Sequence, residues 1–256
     1  HIELSTLKPF TKVTFLEIPK EDIKEVSFFE SIFLGKPIEM KRIPISSFSE
    51  KENGLSYSPY RSEMEQNYIG VYKITNQIFF FGTDKYGRDM LSRMLYGIRI
   101  SLSIGFIAVF ISLIIGISLG LIAGYFRGRT DDIIMWLVNV IWSIPTLLMV
   151  IAITLALGKG FWQVFVAVGL TMWVEVTRIV RGQVFSIRES EYVEAGKALA
   201  YKPFRIIFKH ILPNIIGPVI VISAANFAAA ILIEAGLSFL GIGAQPPMPS
   251  WGGIIK

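Results

Sequence analysis

Hydrophobic and polar residues divide this chain into a mixed N-terminal third and a strongly apolar remainder. Up to about Phe81 the sequence mixes Lys, Glu, Ser, Pro and aromatic residues, and its apolar clusters, such as residues 26–34, are too short to cross a bilayer. Alternation over residues 68–80 predicts one or more strands. We therefore predict an extramembrane loop or small domain over residues 1–81 and a membrane domain over residues 82–256.

Apolar stretches long enough to be transmembrane helices occupy the second part. A helix needs about 20 residues to cross the hydrocarbon layer. The pattern predicts spans near residues 100–126, 133–157, 161–180 and 215–240. The predicted fold class is an all-α, polytopic membrane protein whose N-terminal region is of mixed or uncertain structure.

The first predicted span carries a small residue at every fourth position. Such spacing leaves one helix face almost without side chains, so that a second helix can approach closely. We interpret this face as a packing surface within the chain. Its residues are Ala108, Ser112, Gly116, Gly120 and Gly124.

Several polar residues interrupt the other spans. Proline inside a span frees a backbone carbonyl and kinks the helix, which is tolerated beside a water-lined cavity. Glu175 and Arg178 lie three residues apart in the third span, and we interpret them as a structural ion pair. The candidate residues for a translocation path are Asn139, Ser143, Pro145, Asn226 and Glu234.

The most polar part of the second half is residues 191–213. Ser190 can cap a helix that starts at Glu191, residues 201–202 predict a break, and Pro203 is placed to start a second helix. Pro213 is expected to end that helix, because proline has no amide hydrogen. Residues 178–210 hold three acids and seven basic residues, which predicts a cytoplasmic loop; the basic residues are Arg178, Arg181, Arg188, Lys197, Lys202, Arg205 and Lys209.

Composition excludes several classes of function. The chain is 52% hydrophobic and has no cysteine. Its net charge of +5 arises after Gly97, in membrane-flanking loops, which argues against a nucleic-acid surface. The two histidines, His1 and His210, provide no metal cluster and no activated nucleophile. No G-x4-G-K-[ST] phosphate loop occurs, so an energy source would have to be another subunit, and nothing indicates an enzyme.

The polar loop resembles a known motif. Glu194, Ala195 and Gly196, then Ala200 three residues on, and HILP at 210–213 resemble the EAA loop (E-A-A-x3-G-x9-I-x-L-P) of permeases of ATP-binding-cassette importers. This chain departs from the motif at three positions: it has Gly196 where the motif has its second alanine, Ala200 where it has glycine, and His210 where it has isoleucine. The peptide-importing branch often has H-I-L-P.

Two further stretches resemble that peptide-importing branch, which includes a nickel-importing subgroup. They are GTDKYGRDMLSRMLYGIRIS at 82–101 and LSFLGIGAQPPMPSWG at 237–252. The resemblance covers about residues 81–252. It implies a type I importer permease in the bacterial cytoplasmic (inner) membrane, with one further span before the extracytoplasmic N-terminal region and one after the final motif, neither within this chain.

The resemblance also implies partners and roles. Residues 186–213 would form the coupling loop, and a bulky residue such as Trp at Ala195 or Gly196 would then uncouple transport without unfolding the permease. A second homologous permease, two ATPase subunits that bind ATP and Mg, an extracytoplasmic substrate-binding protein and membrane lipid would be the partners, with no cofactor and no nucleic acid bound by this chain. The ATPase contact would involve Glu191, Glu194, Ala195, Gly196, Lys197, Leu199 and Ala200, and the turn and helix end would involve Pro203, His210, Leu212 and Pro213.

Alternatives remain open at this point. The cargo could be nickel or another small solute instead of a peptide. The chain could be a secondary transporter, although that class needs charged or unwound sites on several spans. It could also anchor a binding module formed by residues 1–81. The topology carries one contrary signal, because Lys85, Arg88, Arg93 and Arg99 would lie on the outer side.

Overall fold

The computed structural model describes residues 2–20, 40–51, 54–62, 64–158, 161–243 and 249–255. It divides into two compact units, His1–Arg99 and Ile100–Lys256. The apolar cluster at 26–34 lies outside the described residues.

The first unit contains a five-stranded antiparallel sheet in the order β4-β3-β2-β1-β5. The predicted alternation at 68–80 is confirmed as strand structure, because the last two strands occupy most of it. The strands are β1 (Thr11–Pro19), β2 (Met40–Lys51), β3 (Gly54–Pro59), β4 (Gln66–Tyr68) and β5 (Lys73–Phe79).

Strand β1, which lies between β2 and β5, is covered on both faces because its successive side chains point to opposite sides. Val13 and Phe15 belong to one buried cluster, with Leu4 and Phe79. Leu16 and Ile18 belong to the other, with Ile45, Leu55 and Tyr57. This strand therefore organises two small apolar cores.

A tight turn follows the sheet. Gly82 and Gly87 both have a φ of 71°, a left-handed conformation that glycine adopts without strain. Asp84 accepts hydrogen bonds from the amides of Tyr86 (2.8 Å) and Arg88 (2.9 Å) and from Arg88 Nε (2.8 Å). Burial raises the pKa of Asp84, but the hydrogen bonds from Arg88 and Tyr86 outweigh it and hold that pKa below its ordinary value.

The described part of the remaining chain is mainly helical. Within it, three stretches are long and apolar enough to cross a membrane: Met90–Phe126, Trp162–Ile187 and Pro203–Phe239. The helices are α1 (Met90–Phe126), α2 (Gly128–Trp142), α3 (Thr146–Leu157), α4 (Phe161–Ile187), α5 (Glu191–Ala198), α6 (Pro203–Ile206), α7 (Leu212–Phe239) and α8 (Trp251–Ile255).

The predicted small-residue face of α1 is confirmed as an intramolecular packing surface against α4. A Cβ atom placed on Gly116, Gly120 or Gly124 would lie 2.5–2.7 Å from Cβ of Val176, Val180 or Val184, respectively. Real Cβ atoms do not approach so closely. The glycines therefore let the two helix backbones come close together.

The second predicted span, 133–157, is not one kinked helix. Helices α2 and α3 are separate and bent by 89° at the break, and together they form at most one broken span. Pro145 has an extended conformation, with φ −55° and ψ 124°. Proline supplies no amide for the helical ladder and disfavours helical backbone in the preceding residue, here Ile144. The sequence indicated the position of the disruption but underestimated its size.

The prediction that Pro213 ends a helix is wrong. The chain stays helical from Pro203 to Phe239, with a π-helical turn at Ile207–Ile211 between α6 and α7. A π turn shifts the hydrogen-bond register by one residue, so a proline at the start of α7 can follow it without ending the helix. The side-chain Nδ2 of Asn214 also donates to the His210 carbonyl oxygen at 2.6 Å.

Candidate coupling loop and translocation face

Helix α5 begins after Ser190, which occupies the predicted N-cap position with φ −75° and ψ 147°. Its hydroxyl does not cap the helix, because it donates to the Ile187 carbonyl oxygen instead. Glu191 and Glu194 lie in the first turn and Lys197 in the last. Each of these charges is favourable for the helix dipole.

The end of α5 has the hydrogen bonds of a Schellman motif. The Tyr201 amide donates to the Gly196 carbonyl oxygen (3.0 Å), and the Ala200 amide donates to that of Lys197 (2.9 Å). Ala200 has a φ of 56°, in the left-handed region that a Schellman turn requires. The turn thus keeps its geometry with alanine where the motif usually has glycine. The predicted break at residues 201–202 is confirmed, and Pro203 starts α6 as predicted.

One side chain anchors α5 to the membrane domain. Val193 is fully buried, in a cluster with residues of α1, α4, α6, the π turn and α7. Its buried neighbours include Tyr125, Val184, Ile206 and Ile211. Because these residues come from four other elements, α5 is fixed to the ends of several spans at once.

The opposite side of α5 is open. Most of the predicted contact residues are exposed, namely Glu191, Glu194, Ala195, Lys197, Leu199 and Ala200. Gly196 differs, because it is buried, and a Cβ there would lie 3.6 Å from Tyr201 and 3.8 Å from Ile206. An indole at Gly196 would have to displace these neighbours, so Gly196 is a poorer position than Ala195 for the predicted Trp substitution. Trp at Ala195 remains compatible with the structure.

Three exposed aromatic residues near α5 were missed in the sequence analysis. Phe204 is 75% exposed and stacks on Phe208, with ring centroids 5.4 Å apart. Tyr192 is also exposed. The sequence did indicate them, because Phe204 and Phe208 are an aromatic pair four residues apart within a basic segment.

The turn residues pack around Tyr201. The His210 ring stacks on Tyr201 at 6.2 Å, and the Arg205 guanidinium lies 4.0 Å from the centre of the same ring. Leu212 packs against the Val193 cluster. His210 thus lies inside a continuous helix and not at a helix end, and its ring packs on Tyr201.

Two ion pairs join the loop region to the start of α2. Arg127 donates to Glu189 at 2.7 Å, and the hydrogen bond and charge of Arg127 lower the pKa of Glu189. Arg181 forms a two-pronged ion pair with Asp131. The connection between α1 and α2 is therefore tied to the helix that leads into α5.

The predicted pair of Glu175 with Arg178 is not formed. Arg178 donates instead to Asn139 Oδ1 at 2.6 Å, and its guanidinium carbon lies 3.4 Å from the centre of the Trp142 ring. Both partners lie on α2, which competes successfully for the arginine because its end runs alongside α4. Glu175 is exposed on the surface of this chain and forms no ion pair with the described cations.

The candidate path residues separate into two groups. Asn139, Ser143 and Pro145 are exposed at the break between α2 and α3. Asn226 and Glu234 are buried within this chain, at 2% and 0% exposure. In this structure, therefore, the first three residues face the surface of the chain and Asn226 and Glu234 do not, and a role in a translocation path stays a prediction for all five.

Glu234 belongs to a polar cluster that holds the C-terminal segment. Its Oε1 atom accepts a hydrogen bond from Ser238 (2.6 Å), and Ser250 lies 3.2 Å from Ser238. The Trp251 amide donates to Ser101 of α1 at 3.4 Å. Gly252 completes the contact, because a Cβ there would lie 2.4 Å from the Ala235 carbonyl oxygen. Residues 244–248 of the final motif lie outside the described residues.

No group of three or more His, Cys, Asp and Glu side chains comes together as a metal site in the described part of the chain.

Comparison with known proteins adds an independent observation. Residues 116–256 match the family model for the binding-protein-dependent transport system inner membrane component. The chain is 41% identical over 186 residues to an oligopeptide transport system permease protein of Bacillus subtilis, covering 73% of this chain and 61% of the relative. It is 47% identical over 173 residues to a dipeptide transport system permease protein of the same organism, covering 68% and 54%.

The chain is also similar to a more distant relative and to a solved structure. A glutathione transport system permease protein of Pectobacterium atrosepticum is 36% identical over 198 residues, with 77% of this chain and 66% of the relative covered. The chain therefore spans between about half and two thirds of the length of these relatives. An inward-facing MetNI methionine ABC transporter matches with a TM-score of 0.55 at 20% identity, over 60% of this chain and 77% of that one.

The structural similarity shows the fold predicted from the sequence, that of a helical type I ABC importer permease. The family match extends from the middle of α1 to the C-terminal segment and includes the whole of residues 186–213. This chain belongs to the family of binding-protein-dependent transport system inner membrane components, proteins of the cytoplasmic membrane.

Proposed function

We propose that this chain is a permease subunit of an ATP-driven importer that moves peptides across the cytoplasmic membrane. The observation that carries the proposal is the two-sided construction of α5. Val193 is buried among the ends of the spans, while Glu191, Glu194, Ala195 and Leu199 are exposed. A short helix held on one side and open on the other can transmit a push from a partner to the spans.

The partners follow from this role. We propose that one of two ATPase subunits binds the exposed side of α5 together with Tyr192, Phe204 and Phe208, and that the two ATPase subunits hold ATP and Mg. A second homologous permease would complete the path, and an extracytoplasmic binding protein would deliver the cargo. Peptides are the proposed cargo because the relatives include oligopeptide and dipeptide permeases.

The proposed mechanism is a change between inward-open and outward-open states. ATP-driven closure of the ATPases would displace α5, and the Arg127–Glu189 and Arg181–Asp131 pairs would carry the movement to the start of α2. Each ligand can shift these states only by as much as it binds one of them better than the other.

The test uses the complete transporter in proteoliposomes, with labelled peptide and ATP. The wild-type complex should accumulate peptide only with ATP. Ala195→Trp should abolish uptake and peptide-stimulated ATP hydrolysis, because an indole on the exposed side would block the ATPase contact. The matched control is Lys73→Trp, which puts the same bulk on exposed β5. Unchanged uptake and stimulated hydrolysis in Ala195→Trp would contradict the coupling role.

A further inference from the structure

A cavity of about 180 Å³ lies at the break between α2 and α3. Its walls come from four helices: Trp142 ends α2, Thr146 and Met149 begin α3, Glu175 projects from α4, and Ile233 belongs to α7. All of these residues belong to the second unit. Broken helices at membrane depth are typical of the places where transporters hold their cargo.

Glu175 is the one charged residue among the described residues that line the cavity. The cation nearest to it in sequence, Arg178, is engaged by Asn139 and Trp142 of α2. The carboxylate therefore borders an apolar cavity without an ion-pair partner among the described residues. It can accept hydrogen bonds from a cation that enters from outside this chain.

The depth of Glu175 restricts what it can face. It lies near the midpoint of α4 (Phe161–Ile187), within a stretch apolar enough to cross the membrane. A carboxylate at this depth is strongly disfavoured against lipid tails and is expected to face a water-filled cavity or another protein. The space beside the carboxylate can take a small ligand group. A contact with a second permease is the competing role, and the experiment below distinguishes the two.

We propose that Glu175 binds an alkylammonium group of the peptide cargo during translocation, and that the cavity holds that end of the peptide. This inference rests on the proposed function. The volume fits one terminus or side chain and not a whole oligopeptide, since sites for complete small ligands occupy about 300–1,000 Å³. Trp142 and Met149 supply apolar contacts for the methylene groups beside the ammonium, and Glu175 supplies the charge.

The ammonium can come from the peptide N-terminus or from a lysine side chain. Three labelled peptides of equal length separate these sources: one with a free N-terminus and no lysine, its N-acetylated form, and an N-acetylated peptide that contains one lysine. Maximal uptake is measured with the complete transporter at saturating loaded binding protein, so that capture by that protein does not limit the rate.

Glu175→Gln should lower maximal uptake of the peptides that carry an ammonium by about tenfold, the effect of losing one charge-assisted hydrogen bond. Uptake of the N-acetylated peptide without lysine should not change. Glu175→Asp, which keeps the charge, should retain most of the uptake. The matched control is Asp132→Asn, which removes an exposed acid from the start of α2.

Three results would overturn the inference. Equal loss for all three peptides would indicate a general structural role, and loss of the second permease on purification of Glu175→Gln would indicate a subunit contact. An unchanged preference for peptides with an ammonium would show that Glu175 does not bind the group. Absence of ATP-driven peptide uptake by the wild-type transporter would instead overturn the proposed function, and this inference with it.

Discussion

The amide of Tyr201 donates a hydrogen bond of 3.0 Å to the carbonyl oxygen of Gly196, and this bond closes the exposed helix α5 with a left-handed residue between the two. The glycine lies at a helical position with room for a methyl group, whereas Ala200 occupies the position where φ is 56°. Glycine thus occupies the helical position, where alanine would be favoured, and alanine occupies the left-handed position, where glycine would be favoured.

Exchanging them should stabilise α5. Ala200→Gly should gain about 0.5–1 kcal/mol, because relief of the left-handed conformation exceeds the entropy that glycine loses. Gly196→Ala should gain about 1 kcal/mol of helix propensity. Each change should raise the hydrogen-exchange protection of residues 191–201 by up to about fivefold. Ala198→Gly, inside the helix, is the control and should lower protection; a loss of protection in Ala200→Gly would contradict the turn geometry.

Removing the anchor of α5 should loosen it. Val193→Ala deletes two buried methyl groups and should destabilise the docked helix by about 2 kcal/mol. Faster hydrogen exchange across residues 191–201, with the spans unchanged, is the expected measurement. Tyr192→Ala serves as the control, since Tyr192 is exposed and adjacent. Equal effects of the two changes would show that Val193 is not the anchor.

Close approach of α1 and α4 should make Gly120 intolerant of any side chain. A Cβ there would lie 2.7 Å from Cβ of Val180, so Gly120→Ala should destabilise the permease by about 1–3 kcal/mol. Thermal unfolding of the purified protein in detergent measures the loss.

The control for Gly120→Ala is Gly182→Ala on α4, where a Cβ meets nothing within 4 Å. It should leave the melting temperature unchanged or raise it. Adding Val180→Ala to Gly120→Ala should recover part of the loss, because the two residues share one contact. If the losses of stability from Gly120→Ala and Val180→Ala simply added, direct packing of the two residues would be contradicted.

Asp84 should make the turn at residues 82–89 sensitive to acid. Its pKa is lowered in the folded protein, so its stabilising contribution is present above the unfolded value, about 3.9, and is lost as pH falls through the folded value. Protease cleavage within this turn should therefore increase below about pH 4. Asp84→Asn should be cleaved faster at neutral pH and depend less on pH. Glu3→Gln removes an exposed acid and should behave like the wild type.

Features of the chain that depend on local pattern could be predicted. The small residues of α1 recur at every fourth position, which fixes one helix face whatever that face contacts, and packing of Gly116, Gly120 and Gly124 against valines of α4 follows. Likewise, Pro203 starts a helix because its φ is set by its own ring. The exposed side of α5 was predicted from the motif, except at Gly196.

Features that depend on distant partners could not be predicted. Arg178 has Glu175 three residues away, yet it contacts Asn139, 39 residues away, because α2 passes beside it. Asn226 and Glu234 resemble residues of a polar path, but neighbouring helices bury both. The bend of 89° at Pro145 was not predicted either, and α3 beyond it packs against α4.

By itself, the sequence determined where α5 and α6 start and where the break between them lies, which faces are small or apolar, and which loop is polar enough to leave the membrane. These properties follow from backbone sterics and from side-chain periodicity within one element. Only the tertiary structure decided that Val193 is an anchor, that Gly196 is buried, and that Glu175 borders a cavity without an ion-pair partner among the described residues. Each of these depends on atoms contributed by elements distant in the chain, whose positions are set by the packing of the whole bundle.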